Sequence, residues 1–138
     1  MNEKALHMLG LARRARALEL GEEPVCICCR SGRGRLMLLA SDAGEHTVRR
    51  AESLCKSGKP LLYTLPFTKA ELGHAVGLGA CSLCIFTDPA FANSFMLTLE
   101  KDRQPAEIMQ ELARQTLRVE KRRAEEKAHR KNLKHGKK

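Results

Sequence analysis

The sequence predicts an α/β protein: a three-layer α/β/α sandwich with a four-stranded mixed sheet, followed by a basic C-terminal helical extension. The sandwich is indicated by an alternation along the first 100 residues, in which segments with apolar residues at helical spacing follow short apolar runs of strand length. Turn and capping residues separate these segments. The extension is indicated by a change of composition after residue 100, where basic residues become frequent and apolar residues sparse.

Two helices and two strands are predicted in the first third of the chain. Asn2 is the expected N-cap of the first helix, and Pro24 is tolerated in the second because it falls in the first turn. The Leu-rich run after Arg35 is typical of a buried central strand. The predicted elements are helix 3–16, strand 18–20, helix 22–31 and strand 35–41.

Three helices and two strands are predicted between residues 45 and 100. Thr68 and Glu71 have the spacing of a capping box, in which each side chain satisfies a backbone amide at the helix start. Asp88 and Pro89 are a typical N-cap and first helical residue. The predicted elements are helix 45–57, strand 60–65, helix 69–76, strand 80–87 and a helix that begins at Pro89.

The chain divides at residue 100 into a predicted domain, residues 1–100, and a basic C-terminal helical tail, residues 101–138. A linker, residues 100–104, precedes a helix in which one apolar stripe is expected. The stripe fades after Val119, and a segment so rich in charge cannot bury a face of its own. We therefore expect an exposed helix that frays beyond about residue 130. The stripe comprises Ile108, Met109, Leu112, Ala113 and Leu117.

The positive charge is concentrated in this tail. The net charge of the whole chain is +9, of which residues 1–100 carry +2 and residues 101–138 carry +7. Such asymmetry is typical of proteins that bind nucleic acid or acidic surfaces. A tail that only aids solubility is the alternative.

Composition excludes several classes of protein. Aromatic residues are only 4% of the chain, too few for RNA-recognition motifs, cold-shock domains or OB-folds, which stack bases on aromatic side chains. No apolar run approaches the roughly 20 residues that span a bilayer, and no secretory signal is expected, so we predict a cytoplasmic protein. The histidines show no metal-binding spacing, and no nucleophile with a base can be identified. The sequence therefore predicts no enzyme, no cofactor and no small-molecule substrate.

Six cysteines raise the question of a metal site. Cys81 and Cys84 form a CxxC pair, but within a predicted strand their side chains would point to opposite faces. Cys26, Cys28 and Cys29 lie on a predicted helix among apolar residues. We expect these cysteines to fill the core as small hydrophobic residues and to bind no metal. A metal-binding or redox-sensing role stays open as the alternative.

Four segments occur in a fixed order along the chain: Leu9–Ala15 (LGLARRA), Gly21–Glu23 (GEE), Leu36–Ala43 (LMLLASDA) and Thr68–Gly77 (TKAELGHAVG). Together they resemble the ribosomal L-seven-Ae / L-thirty-e / Gadd-like superfamily, and specifically its bacterial YlxQ-like branch. The resemblance covers residues 4–99. It implies a three-layer α/β/α domain that binds kink-turn or related structured RNA without catalysis.

The resemblance also implies where RNA is held. One element is the turn after the first strand with the start of the second helix, and the other is a small apolar loop before the last long strand. A helix N-terminus presents unpaired amides and a positive dipole end to phosphates or base edges. The implied RNA-binding residues are Gly21, Glu22, Glu23, Pro24 and Ile27 in the first element, and Leu78, Gly79, Ala80 and Cys81 in the second.

The chain departs from the family's kink-turn pattern at two positions. Pro24 removes a backbone donor, and Ile27 stands where kink-turn binders have a lysine. The carboxylates of Glu22 and Glu23 would repel phosphate, although a carboxylate can accept hydrogen bonds from guanine or cytosine amino groups. Binding to structured RNA is therefore more strongly implied than kink-turn recognition.

Basic residues outside these two elements are further candidates. Arg33 and Arg35 form a flexible basic turn that is expected to touch RNA. Arg13, Arg14 and Arg16 either complement the dipole at the end of the first helix or contact RNA. Gly73, inside a predicted helix, indicates close packing or a close approach of the backbone to a ligand. In the tail, the predicted phosphate contacts are Arg118, Lys121, Arg122 and Arg123.

The resulting prediction is a non-catalytic protein that binds structured RNA, either ribosomal or kink-turn-like, with the ribosome as a candidate partner. The first alternative is a protein-interaction adaptor on the same fold, in which Pro24 and Ile27 have weakened RNA recognition. The second is a metal- or redox-responsive protein that uses its cysteines.

Overall fold

Helices and strands alternate through the first hundred residues of the computed structural model, which describes residues 3–58 and 60–135. The helices are α1 (Glu3–Arg14), α2 (Glu22–Arg30), α3 (Glu45–Gly58), α4 (Lys69–Ala75), α5 (Pro89–Leu97) and α6 (Ala106–His135). The strands are β1 (Leu18–Leu20), β2 (Leu36–Leu39), β3 (Leu61–Thr64) and β4 (Leu83–Phe86). The predicted order of elements is confirmed, while the N-cap predicted at Asn2 lies outside the described residues.

The four strands form one mixed sheet in the order β1-β4-β2-β3. β2 and β3 are parallel, and β4 is antiparallel to both of its neighbours, β1 and β2. At one end of the sheet Leu83, the first residue of β4, pairs with Leu39, the last residue of β2. The last residue of β1, Leu20, pairs with Cys84 at the same end. The chain segments that follow β1 and precede β4 therefore meet at this end.

Helices cover both faces of the sheet, which makes the predicted three-layer sandwich. Alternate residues of a strand point to opposite faces. In β2, Leu36 and Leu38 pack in the core that α1, α4 and α5 share, whereas Met37 and Leu39 pack against α2 and α3. β2 and β4 are apolar at every position, so both of their faces need to be covered, and both strands are buried along their whole length.

Two helix starts have the predicted caps. The Thr68 side chain accepts from the Glu71 amide at 3.2 Å, and the Glu71 carboxylate accepts from the Thr68 amide at 3.0 Å. This reciprocal pair completes a capping box at α4. At α5, the Asp88 side chain accepts from the Ala90 amide at 3.0 Å, with Pro89 as the first helical residue.

The last strand is shorter than predicted. Strand 80–87 was expected, but β4 begins only at Leu83. The Cys81 amide donates to the Lys69 carbonyl at 2.9 Å, so the chain at this point is bonded to the start of α4 and not to a neighbouring strand. This bond takes Cys81 out of the sheet.

The first turns of α6 contribute residues to the core, and the rest of the described helix does not. Leu112 is fully buried and Ile108 nearly so, and they join the core that α5 lines. The expected stripe is wrong at its end, because Ala113 is exposed and Leu117 is 67% exposed. Beyond Leu112 the described apolar positions are less covered, since Leu117 is exposed and Val119 is only partly buried.

The described helix α6 continues to His135, past the point near residue 130 where fraying is expected. Residues 136–138 lie outside the described part. None of the helices that the structure describes is both long and apolar enough to cross a lipid bilayer.

Candidate nucleic-acid interface

Gly21 forms the turn between β1 and α2. Its φ of +91° lies in the region that glycine adopts without a steric penalty. Its amide donates to the Leu83 carbonyl at 2.9 Å, so the turn is tied to the start of β4. A side chain at this position would strain the turn, which explains why a glycine follows β1.

The N-terminus of α2 is built from glutamates and a proline. Gly21 is the N-cap and has no side chain to satisfy the first amides of the helix, those of Glu22 and Glu23. Pro24 is the third helical residue and has no amide to offer, as the sequence indicates. The first turn of α2 therefore presents two backbone donors beside two carboxylates.

The loop between α4 and β4, residues 76–82, opens with a Schellman motif. The Leu78 amide donates to the Gly73 carbonyl at 2.7 Å, and the Gly77 amide donates to the His74 carbonyl at 3.3 Å. Gly77 has φ +79°, the left-handed conformation that the motif requires. These bonds fix Leu78 in the loop with 40% of its surface exposed.

The same loop is pressed against α4 at Gly73. A Cβ atom built on Gly73 would lie 2.6 Å from the Ala80 Cα and 2.8 Å from its backbone N and C. The prediction of close packing at Gly73 is confirmed, and the group that approaches it is the loop backbone. The loop is thus held by the Schellman motif, by this contact and by the Cys81–Lys69 hydrogen bond.

The two elements that the resemblance implies meet in one cleft of about 330 Å³, here called the recognition cleft. Gly21 and Glu22 line one wall, and the loop lines the other. His46 and Thr47, from the first turn of α3, complete the lining and were not identified from the sequence, since nothing in their spacing marks them. From the predicted set, the cleft contains Gly21, Glu22, Leu78, Ala80 and Cys81.

Glu22 brings an unsatisfied acceptor to this cleft. Its Oε1 atom is buried and has no hydrogen-bond partner within the described part of the chain. A buried carboxylate oxygen without a donor is unfavourable by about 1–3 kcal/mol. If the Glu22 side chain rotates so that this oxygen is exposed, a donor such as a base amino group would relieve this cost.

The exposed side of α2 forms a second cleft of about 530 Å³, the α2 cleft, which Glu22 shares with the recognition cleft. Ile27 is 53% exposed in it. Arg30 and Arg50 also line it, so two guanidinium groups stand near the position at which Ile27 replaces a cation. Neither arginine was identified from the sequence. No short motif marks Arg30, and Arg50 belongs to α3, which only the fold brings beside α2.

The expected divergence of Cys81 and Cys84 is wrong. Because Cys81 precedes β4, the two thiols face each other, and a hydrogen bond from Cys84 lowers the pKa of the Cys81 thiol to about 7. Hydrogen bonds from the Leu83 and Gly21 backbone act in the same direction. The pKa of Cys84 is raised well above its usual value by this hydrogen bond and by complete burial.

The other cysteines lie in or beside the core between the sheet and α2 and α3. Cys28 and Cys29 are buried there, and burial raises the pKa of both thiols. Cys55 packs against the same cluster, and burial raises its pKa to about 11. Among residues 3–58 and 60–135, no three His, Cys, Asp or Glu side chains are grouped as metal ligands.

Arg33 and Arg35 are not brought to the recognition cleft. The Arg35 amide donates to the Phe86 carbonyl at 2.8 Å. Phe86 is the last residue of β4 and Leu83 is the first, so the two are three positions apart, a distance of about 10 Å. Arg33 Nε donates to the Ser31 hydroxyl at 2.9 Å. Their contact with RNA stays a prediction, but one for a different part of the surface.

The predicted tail residues are also separate from the cleft. Arg118, Lys121, Arg122 and Arg123 are exposed on α6, beyond its buried turns, and do not line the recognition cleft. Gly79 is exposed at the tip of the loop, whereas Glu23 and Ile27 lie along the α2 cleft.

Comparison with known proteins shows similarity over the body of the chain. Residues 3–95 match the model of the Ribosomal protein L7Ae/L30e/S12e/Gadd45 family, and the match ends before α6. The chain is 34% identical over 97 residues to the RNA-binding protein YlxQ of Bacillus subtilis (strain 168), covering 67% of this chain and 92% of that protein. It is 30% identical over 79 residues to the RNA-binding protein YlxQ of Enterococcus faecium, covering 54% and 72%.

A solved structure has the same fold. It is described as a protein with unknown function from Bacillus halodurans C, and it superposes with a TM-score of 0.62 at 33% identity. The match covers 68% of this chain and 94% of that one.

Proposed function

Because the chain belongs to the ribosomal protein L7Ae/L30e/S12e/Gadd45 family, we propose that it is a non-catalytic RNA-binding protein that holds structured RNA in the recognition cleft. Two relatives that are named RNA-binding proteins support this proposal. In it, Gly21, Glu22 and the loop residues Leu78 to Cys81 contact the RNA. The tail supplies further phosphate contacts.

The observation that carries the proposal is the meeting of the α2 N-terminus with the exposed loop. The first turn of α2 offers backbone amides to phosphate or to a base edge. The loop opposite it offers the exposed side chain of Leu78, on which an unpaired base can rest. Glu22 lines the same cleft, and its carboxylate can accept from an exocyclic amino group once its buried, unsatisfied Oε1 is exposed.

The RNA class follows from the charge at this cleft. Glu22 in the cleft and Glu23 beside it in the first turn of α2 disfavour close approach of phosphates, and Pro24 removes one amide, so recognition by the phosphate backbone alone is weak here. A base displaced from a helix in folded RNA can enter such a site. We propose ribosomal RNA as the target, the ribosome as the partner and the cytoplasm as the location. A kink-turn is the narrower target, and filter binding tests both RNAs.

Filter binding with total ribosomal RNA and with a kink-turn hairpin tests the proposal. Leu78→Asp should weaken binding to both RNAs at least about tenfold, because it places a negative charge where RNA approaches. Leu97→Asp is the matched control, since Leu97 is an exposed leucine on α5, away from the cleft. Equal affinities for wild type and Leu78→Asp would reject the recognition cleft as the site.

An adaptor function is the second candidate, and the exposure of Ile27 and Leu78 favours it. Large apolar side chains that are exposed occur at protein contacts as well as at base contacts. The two functions differ in one result. If the wild-type protein binds neither RNA more tightly than it binds a random single strand, the adaptor function is favoured over the RNA-binding one.

A further inference from the structure

A groove between α1 and the end of α4, here called the α1/α4 groove, has a volume of about 640 Å³. His7, Arg13 and Arg14 line it from α1, and His74 and Gly77 line it from α4 and the loop. The proposed function assigns no RNA contact to any of these side chains.

Among the residues that the structure describes, the lining is basic and contains no carboxylate. Arg14, His7 and His74 are exposed, and an imidazole N–H can donate to a phosphate oxygen in either charge state. The nearest carboxylate on α4, that of Glu71, is held by its capping-box hydrogen bond to the Thr68 amide. Glu3 lies at the other end of α1, about 16 Å from Arg14 along the helix axis.

The groove is narrow because glycines bring the two helices together. A Cβ on Gly10 would lie 2.9 Å from the Ala75 carbonyl oxygen, so α1 and α4 are at backbone contact there. Arg13 Nη1 donates to the Val76 carbonyl, which holds one guanidinium group at the groove wall. Arg14, His7 and His74 line the same groove with exposed side chains.

The groove and the recognition cleft both border the loop that follows α4. Gly77 lines the groove and its neighbour Leu78 lines the cleft, and consecutive Cα atoms are about 3.8 Å apart. An RNA strand that places a base in the cleft therefore has its next phosphates within reach of the groove.

We propose that the α1/α4 groove binds phosphates of the RNA backbone adjoining the nucleotide in the recognition cleft, through Arg14, His7 and His74. This inference rests on the proposed function. The two surfaces then contact different parts of the RNA. The recognition cleft, which contains the Glu22 carboxylate, contacts bases, and the basic groove binds the phosphates that this carboxylate repels. Groove contacts of this kind add affinity without adding sequence preference.

Filter binding at several salt concentrations tests the division on the full-length protein, with total ribosomal RNA and the kink-turn hairpin as probes. Arg14→Ala should reduce the slope of log affinity against log salt by about one and weaken binding about sevenfold at 0.15 M salt, equally for both RNAs. Arg14→Ala with His74→Ala should weaken it further. Arg14→Lys should retain the slope, because it keeps the charge.

Lys4→Ala is the matched control, since Lys4 is an exposed cation of the same helix that does not line the groove. Thermal melting of each variant checks that the fold is intact. If Arg14→Ala behaves like Lys4→Ala while Leu78→Asp still loses binding, the groove proposal is wrong and the proposed function stands. If the wild type binds neither RNA, both fail.

Discussion

Arg13 of α1 donates a hydrogen bond from Nη1 to the backbone carbonyl of Val76, the residue that caps the C-terminus of α4. The carbonyls at the end of a helix lack intrahelical donors and carry the negative end of the dipole, so a guanidinium group is a favourable partner. A Cβ on Gly77 would lie 2.9 Å from the same Nη1 atom, which shows how closely the side chain follows the start of the loop. Arg13 thus links the first helix to the loop that forms one wall of the recognition cleft.

Arg13→Met should loosen the loop. Loss of the charge-assisted hydrogen bond lowers the free energy of unfolding by about 1.5–3 kcal/mol at most, less where water replaces the donor. The Leu78 amide, bonded to the Gly73 carbonyl at 2.7 Å, should exchange faster with solvent deuterium. Arg14→Met is the control, because Arg14 has no such bond to the loop in the described contacts; equal exchange rates in the two variants would contradict the positioning role of Arg13.

Gly73→Ala should lower the free energy of unfolding of the protein and should also weaken its RNA binding. The added methyl would lie 2.6 Å from the Ala80 Cα, and the backbone cannot yield as a flexible side chain would. Overpacking of this kind costs about 1–3 kcal/mol, and the loop that moves to relieve it is a wall of the cleft. Chemical denaturation and filter binding measure the two effects.

Gly79→Ala is the matched control for Gly73→Ala. A Cβ on Gly79 meets nothing within 4 Å, and the residue has no positive φ. Its stability should change by less than about 0.5 kcal/mol. If both variants lose the same stability, the loss reflects the general cost of replacing glycine in the loop and not the Gly73–Ala80 contact.

Arg16→Gly should stabilise the protein. Arg16 ends α1 with φ +60°, in a Schellman motif in which its amide donates to the Arg13 carbonyl and the Ala17 amide donates to the Ala12 carbonyl. A non-glycine residue in this conformation costs about 1–2 kcal/mol, so glycine should raise the melting temperature. Arg14→Gly removes the same charge inside the helix and should lower it.

Local patterns predicted the fold well because each element carries its own signal. The capping box at Thr68 and the Asp88–Pro89 start are fixed by residues three or fewer positions apart, so the sequence is sufficient to place them. The boundary of β4 was wrong because Cys81 bonds to Lys69, a partner twelve residues away whose position only the fold determines.

The candidate site was predicted only in part for the same reason. The resemblance supplied the α2 N-terminus and the loop, but His46, Arg30 and Arg50 come to these clefts from helix faces that no short motif marks. Arg33 and Arg35 were grouped with the site by charge, yet the register of β2 against β4 places them at the other end of the sheet.

Cys81 should titrate near neutral pH. A hydrogen bond from the Cys84 thiol stabilises the Cys81 thiolate and lowers its pKa from 9.0 to about 7, whereas burial raises the pKa of Cys55 to about 11. Ultraviolet absorbance of thiolate should therefore rise through a transition centred near pH 7 as the pH increases. Cys81→Ser should abolish the transition, and Cys84→Ala should move it to higher pH by removing the donor; a wild type without thiolate below pH 8 would contradict the assignment.

Two truncations test the division of the chain at residue 100, which stays a prediction. Residues 120–138, which truncation after Val119 removes, carry a net charge of +6 and no aromatic residue, so they can bind phosphates but cannot stack on bases. Truncation after Val119 should leave the melting temperature unchanged, because the buried residues of α6 precede it. It should reduce the salt slope of RNA binding by about 3 to 5 if the tail contacts about 4 to 6 phosphates, and weaken all RNAs alike.

Truncation after Glu100 should instead damage the fold. It removes Ile108 and Leu112, which are buried in the core beside α5. Loss of one buried aliphatic side chain costs about 2–5 kcal/mol, a large share of the roughly 5–15 kcal/mol that stabilises an ordinary domain. We therefore expect the start of the tail to act as part of the domain, and only its basic remainder to be the proposed RNA-binding extension. A shorter chain that melts like the full one would place the boundary at residue 100 after all, and a change of preferred RNA after truncation at Val119 would make the tail a specific binding element.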